Sequence, residues 1–367
     1  SIDLSPSPVS DSETGDGNEP TLTVNFDEAM TQDADHVTVT PDLEDHLTTN
    51  PSVENERWSG SDTFKADLQF TDDEEDTTFD VEVSGAQDSV GNSISAYSKE
   101  FSIDTENPEA PESVEFDSEF INLDNVDEAG YTVELPDGHE SGELHVTATG
   151  SGDEKATETP QVDDQNTIAG DLDLTELDQG SVDLKAYLED AHGNDGAVQE
   201  NTDAAEKDTE RPSDPSSISP NDIYEDNVGG YTVDVTLEDG YEAGTLSVRL
   251  SDSTDSTGDV IATTQVPQDN GGDDKIEVTG IDARSLEEED ITIDAKYTDD
   301  AGNDNSNGYT ADTTVHKDVT PPDVESSRTV SRDEIKVKFS EDLRGNTIGQ
   351  SDFSVASYGV SGTTVNG

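Results

Sequence analysis

The chain has no cysteine and only one methionine and one tryptophan in 367 residues. Without thiols it has no disulfide and no thiolate metal site, and cysteine usage says nothing about its redox compartment. Basic residues are scarce too: 17 Lys and Arg stand against 90 Asp and Glu, a net charge of −73. Binding nucleic acid needs Lys and Arg to displace counterions from phosphates, so nucleic acid is excluded as a partner. Anionic membrane surfaces are excluded for the same reason. No apolar run approaches the roughly 18 residues of a membrane span, and nothing at Ser1 looks like a signal h-region, so no direct membrane insertion is expected of this segment. The chain starts without Met and stops at SVASYGVSGTTVNG amid apparent strands. A longer parent protein is expected.

Catalytic patterns are also missing. His36, His46, His139, His145, His192 and His316 are scattered, with no HExxH or paired spacing, and are read as solvent-exposed rather than as ligands. No GxSxG, P-loop or GxGxxG occurs. Carboxylate pairs run glycoside hydrolysis in some enzymes, but with 90 acids close pairs are guaranteed and carry no information. The chain is read as non-enzymatic.

A hydrophobic content of 28% with so large a charge fits either disorder or a folded protein adapted to concentrated salt. The Debye length falls from about 8 Å in ordinary saline to about 3 Å at 1 M, so molar salt nearly abolishes repulsion between surface carboxylates. The acids here are interleaved with regularly spaced apolar residues, as in DITIDAKY (290–297), rather than gathered into blocks. The folded, halophilic reading follows.

What the chain does have is repetition. Asp104-Thr105-Glu106-Asn107-Pro108, Asp208-Thr209-Glu210-Arg211-Pro212 and Asp318-Val319-Thr320-Pro321-Pro322 form three junctions, 104 and 110 residues apart. Asp-x-x-Gly-Asn recurs at 88–92, 190–194 and 299–303, each time shortly before a junction. DNVDEAGYTV (124–133) matches DNVGGYTV (226–233), and GELHV (142–146) matches GTLSV (244–248). VNFDEAM (24–30) returns as VKFSEDL (337–343). The boundaries predicted are 1–105, 106–209, 210–319 and an incomplete 320–367.

Apolar residues alternate within each unit, the mark of half-buried strands: Phe79, Val81, Val83; Val182, Leu184, Ala186, Leu188; Ile291, Ile293, Ala295, Tyr297. The best helical candidate, ARSLEEED (283–290), is short. The fold class is therefore all-β, with tandem Ig-like β-sandwich domains arranged end to end.

The residues also carry a resemblance. INLDNVDEAGYTV (121–133), DLTELDQG (173–180) and DAHGN (190–194) resemble the bacterial Ig-like repeats of very large surface adhesins. IYEDNVGGYTV (223–233), IDARSLEEED (281–290) and DDAGN (299–303) follow the same order more loosely. The first unit, with VNFDEAM, Trp58 and VSGAQDSVGN, is similar to the SbsA-type Ig-like domain of S-layer and other exported prokaryotic proteins. The resemblance implies an extracellular, rod-like array on a haloarchaeal cell surface: part of a surface layer, stalk or filament that associates with itself or with other surface proteins. It equally accommodates the stalk of an adhesin or virion fibre, or the spacers of an exported hydrolase. The one N-x-[ST] match, Asn50-Pro51-Ser52, carries the forbidden proline, which weakens an N-glycosylated S-layer reading.

Calcium is the sharpest chemical expectation. Ca2+ takes six to eight oxygen ligands, and Asp/Asn turns between strands supply them. The candidate ligands are Asp88, Asn92 and Asp104; Asp190, Asn194 and Asp208; and Asp299, Asn303 and Asp318, each DxxGN loop being paired with the junction Asp that follows it. Counting by twos from Val182 and Ile291 places Asp190 and Asp299 inward, whereas the count from Phe79 misses Asp88 by one residue and needs a bulge or a shifted register there. The competing reading is a turn closed by Asx hydrogen bonds with Gly at positive φ. DDAGNDNSNG (299–308) partly imitates an EF-hand at Asn303, Asn305, Asn307 and Gly308, but Thr314 occupies the twelfth position and the match fails. Glu28 and Glu341 are read as strand-ending turn residues before cation ligands. Trp58 is read as a core plug rather than a sugar platform, and Tyr131 and Tyr231 as core residues with hydroxyls at its edge.

Overall fold

The computed structural model describes residues 1–367 apart from 15–17, 34–35, 43–50, 71–75, 153, 253–257, 272–273, 344–348, 355–359, 361 and 364–367. His46 and Asn50 lie outside the described residues. The chain divides into two compact units, Ser1–Glu210 and Arg211–Gly367. Its described helical segments are three-residue 3-10 turns, Asp11–Glu13 and Gln350–Asp352. Among the described residues no helix is long and apolar enough to cross a membrane. Residues 283–289 form turns leading into a strand.

The first unit holds two sandwiches with separate cores. Residues up to Asp104 form β1 (Ile2–Ser5), β2 (Thr21–Asn25), β3 (Thr38–Asp42), β4 (Ser52–Trp58), β5 (Thr63–Gln69), β6 (Asp76–Ser84) and β7 (Tyr97–Asp104). One sheet runs β1-β2-β5-β4 and the other β3-β6-β7. Alternate residues of both, among them Leu22, Phe64, Leu68, Phe79, Val81 and Ile103, meet in one core. Trp58 packs at its edge, 5.7 Å from the Phe26 ring and edge-on to Phe64 at 5.5 Å, and its indole N–H is buried without a hydrogen-bond partner. It plugs the core.

The second sandwich contains β8 (Ser113–Phe116), β9 (Phe120–Ile121), β10 (Ala129–Glu134), β11 (Gly142–Thr149), β12 (Lys155–Glu158), β13 (Gln161–Val162), β14 (Thr167–Leu172), β15 (Gly180–Asp190) and β16 (Gln199–Lys207). Its sheets run β14-β10-β8 and β12-β11-β15-β16-β9, with β13 also on β11. The core gathers Tyr131, Val133, Leu144, Val146 and the alternating Val182, Leu184, Ala186 and Leu188.

In the second unit β17 (Ser217–Ser219), β18 (Ile223–Tyr224), β19 (Tyr231–Thr236), β20 (Gly244–Ser251), β21 (Val260–Val266), β22 (Lys275–Ile281), β23 (Asp290–Asp299) and β24 (Thr310–Asp318) repeat that topology, with the single strand β21 in the place of β12 and β13. The sheets are β17-β19-β22 and β18-β24-β23-β20-β21, and the core is again its own. The shared GELHV and GTLSV openings have a steric cause. A Cβ on Gly142 would stand 2.0 Å from the Glu189 carbonyl oxygen, and one on Gly244 2.3 Å from that of Thr298. Burial of Tyr131 and Tyr231 on the matching strands pushes both phenols up to about 12. Beyond Asp318, β25 (Val324–Ser331) and β26 (Glu334–Phe339) form an antiparallel hairpin whose β25 is exposed throughout.

Candidate domain-junction site

All three DxxGN segments fold into the same loop. In the second sandwich Asp190 closes β15 with its side chain inward, as the alternation requires. Its Oδ1 accepts the backbone N–H groups of His192 (2.7 Å) and Asn194 (2.9 Å), and its Oδ2 accepts Asn194 Nδ2 (2.7 Å). Asp88 does the same with Val90 N, Asn92 N and Asn92 Nδ2 at 2.9, 2.9 and 2.6 Å. Asp299 accepts Asn303 N at 2.7 Å and Nδ2 at 3.2 Å. The glycine adopts φ +94°, +90° and +95° in turn, which explains why Gly stands at the fourth position. Hydrogen bonds from Asn92, backbone first and amide second, hold the Asp88 carboxyl below its ordinary range.

The expected partnership between each loop and the junction Asp that follows it is corrected by strand direction. β16 runs antiparallel to β15 with Lys207 opposite Gly180, so Asp208 sits at the end of β15 opposite to Asp190. The eleven residues of β15 set roughly 30 Å between them at about 3.3 Å per residue. Asp104 pairs near Asp76, at the start of β6, whereas Asp88 lies beyond its end. His316, two residues before Asp318, pairs with Asp290 at the start of β23, which ends in Asp299. A hairpin carries the chain back across the whole sandwich between loop and junction.

The loop of the second sandwich therefore meets the junction that precedes it. Asn194, fully buried, accepts the Asp11 backbone N–H on Oδ1 at 2.7 Å and donates through Nδ2 to the Asp104 carbonyl at 3.0 Å. Asp104 in turn donates its own N–H to the Val9 carbonyl at 2.8 Å. His192 Nδ1 stands 2.5 Å from Asp104 Oδ2. One asparagine thus ties its own loop to the last strand and the 9–11 segment of the first sandwich. Asp104 and Asp190 are both buried. Burial, and then the Asp190 charge, push the Asp104 carboxyl up, with His192 opposing the shift. Burial and the same two aspartates raise Glu140.

Asp104, Asp190 and His192 offer one donor atom each, all within 4.8 Å of one another. This set departs from what calcium requires, because an imidazole nitrogen stands where an oxygen is wanted and Asp190 already accepts three N–H groups. The EF-hand imitation dissolves as well: Asn305 and Asn307 direct their amide N–H groups at Asp214, at 2.6 and 2.5 Å, and Asn305 Oδ1 accepts the Tyr297 N–H. Asp208 accepts the Glu210 N–H at 2.9 Å and Asp318 that of Thr320 at 3.2 Å. Burial, then Asp318, raises Glu341. Glu28 is exposed.

Sequence reasoning missed several functional groups. His192 occupies the position held by Val90 and Ala301 in the sister loops, and that difference was its signal. Lys207 and Lys317 are buried. Lys207 Nζ donates to the carbonyls of Thr175 (3.1 Å) and Leu177, and Lys317 Nζ to that of Leu286. The repeated Lys-Asp pair at 207–208 and 317–318 marked them. His192 is exposed, as expected, and His145 is half-buried, but each stands beside two carboxylates.

The class these observations define is an all-β chain of tandem Ig-like β-sandwiches. No family model matches the chain and no curated protein matches it. Among solved structures it is similar to a tetra-tandem repeat in the extending region of a large adhesion protein, with 18% identity, 84% of this chain and 74% of that one covered, and TM-score 0.25. It is also similar to a 1.5-MDa bacterial ice-binding adhesin (17%, 87% and 98%, 0.33) and to the FN1–FN3 domains of chicken CNTN1 (11%, 86% and 98%, 0.36). With every TM-score below 0.5, the class rests on the chain's own sheets.

Proposed function

We propose that this chain is a non-enzymatic structural segment of an extracellular stalk, filament or surface layer of a halophilic archaeon. The observation that carries the reading is a repeated sheet topology joined to a built junction: Asn194 docks one sandwich on the preceding one. Such a joint limits bending. Proline at each junction limits it further by fixing φ. A net charge of −73 around intact apolar cores suits molar salt, where carboxylates no longer repel at a distance. Self-association or contact with other surface proteins completes the proposal. Immunolabelling of intact cells that make the protein tests it: surface staining is expected, and label reached only after lysis would overturn it. Sedimentation in 3 M NaCl separates a stalk, which stays monomeric, from a lattice component, which assembles.

We further propose that, of the nine candidate ligands, Asp104 and Asp190 are the pair at which calcium would bind. Its support is the burial of Asp104 and Asp190 side by side, which a divalent ion would relieve. Calorimetry in molar NaCl, before and after chelation, decides it, and no heat of calcium binding would end it.

A further inference from the structure

We propose a second, separate cation site on the outer face of the second sandwich, formed by Glu143, His145 and Glu189 and suited to a first-row divalent ion of the zinc and cobalt class. It is independent of the structural role above. β11 and β15 are antiparallel neighbours, with Glu143 opposite Glu189 and His145 opposite Tyr187. Leu144, Val146 and Leu188 point into the core from the same strands, so the four intervening side chains share the outer face. Like charges directly opposite across a ladder are unfavourable, yet here two glutamates face each other with an imidazole beside them. One donor atom from each of the three residues lies within 4.8 Å of the others.

Two contacts outside the trio hold these donors in place. The His145 ring stacks on Tyr187, with centroids 4.6 Å apart and planes 3° from parallel, so its Nε2 is aimed along the sheet at Glu189 Oε2, 2.8 Å away. Gln161, on β13, donates to Glu143 Oε1 at 2.6 Å. Metal ligands are commonly oriented in this way by hydrogen-bonding and packing neighbours. One imidazole and two carboxylates are the donors that zinc, cobalt and nickel accept. Calcium, which takes oxygen alone, is disfavoured. Bonds of about 2.0–2.2 Å place neighbouring ligands roughly 3 Å apart, so the trio closes around an ion by side-chain rotation without strand movement. Three protein ligands leave the remaining positions to water.

Zinc titration of the full chain in molar NaCl tests the site, followed through histidine imidazole resonances by NMR, with Co2+ absorption as a second readout. The His145 resonances are expected to shift with one equivalent, and His145→Gln to weaken that binding at least tenfold with an unchanged melt. Glu143→Gln keeps the His145–Glu189 pair and removes one carboxylate; it is expected to weaken the same step. Shifts confined to His192, unchanged affinity in both variants, or the same His145 shift with Ca2+ would each overturn the proposal.

Discussion

Replacing Asn194 by Ala removes the side chain that joins the first two sandwiches. The Asp11 N–H loses its acceptor at 2.7 Å, the Asp104 carbonyl its donor at 3.0 Å, and Asp190 Oδ2 its donor at 2.7 Å. A buried polar group left unpaired costs about 1–3 kcal/mol. Water re-enters part of the opened site, and a total loss of about 2–4 kcal/mol is expected. Asn92→Ala is the internal control, because Asn92 occupies the same loop position but is exposed and is bonded within its own loop. A single hydrogen bond of that kind is worth about 0.5–1.5 kcal/mol. Calorimetric unfolding of the full chain in molar salt measures both, and hydrogen exchange at the Asp11 amide localises the effect. Exchange there is expected to accelerate at least tenfold in the Asn194 variant alone. Equal losses in the two variants, or unchanged Asp11 protection, would refute the reasoning.

Other expectations follow from the same groups. Diluting salt from 3 M to 50 mM lengthens the screening distance several-fold, so the melting temperature should fall; the same cooperative melt by circular dichroism at both concentrations would contradict the halophilic reading. Lys207→Met leaves the Thr175 and Leu177 carbonyls without their donor and should destabilise by about 2–3 kcal/mol in denaturant titration, despite removing a charge whose pKa burial has lowered. Carboxyl NMR on acidification should show Asp104 taking its proton before Asp88, because the first is raised and the second lowered. By linkage, Asp104 contributes stability below the ordinary carboxylate value that is lost as pH rises through its raised one, and Asp88 contributes stability above that value that is lost as pH falls through its lowered one.

The parts of this molecule legible in the sequence were those set by local rules. A two-residue period placed Val182 to Leu188 and Ile291 to Tyr297 inward, and the cores confirm it. Asp-x-x-Gly-Asn announced a turn because the Asp oxygens, the positive φ of Gly and the Asn amide all act within five residues. What could not be read locally was which loop meets which junction. Asp190 and Asp208 are 18 positions apart, but an antiparallel return separates them by the length of β15. Asp104 and Asp190, far apart in sequence, are neighbours. The buried lysines escaped notice because surface cations are the ordinary case in so acidic a chain, and only tertiary structure reveals the bare carbonyls that hold them.

Residual dipolar couplings of the full chain in molar NaCl test the central claim most directly. Amides of residues 1–105 and 106–209 should fit one common alignment tensor, because Asn194, Asp104 and Asp11 lock the two sandwiches into one unit, and the tensors should diverge in Asn194→Ala. Two different tensors in the unaltered protein would contradict the account.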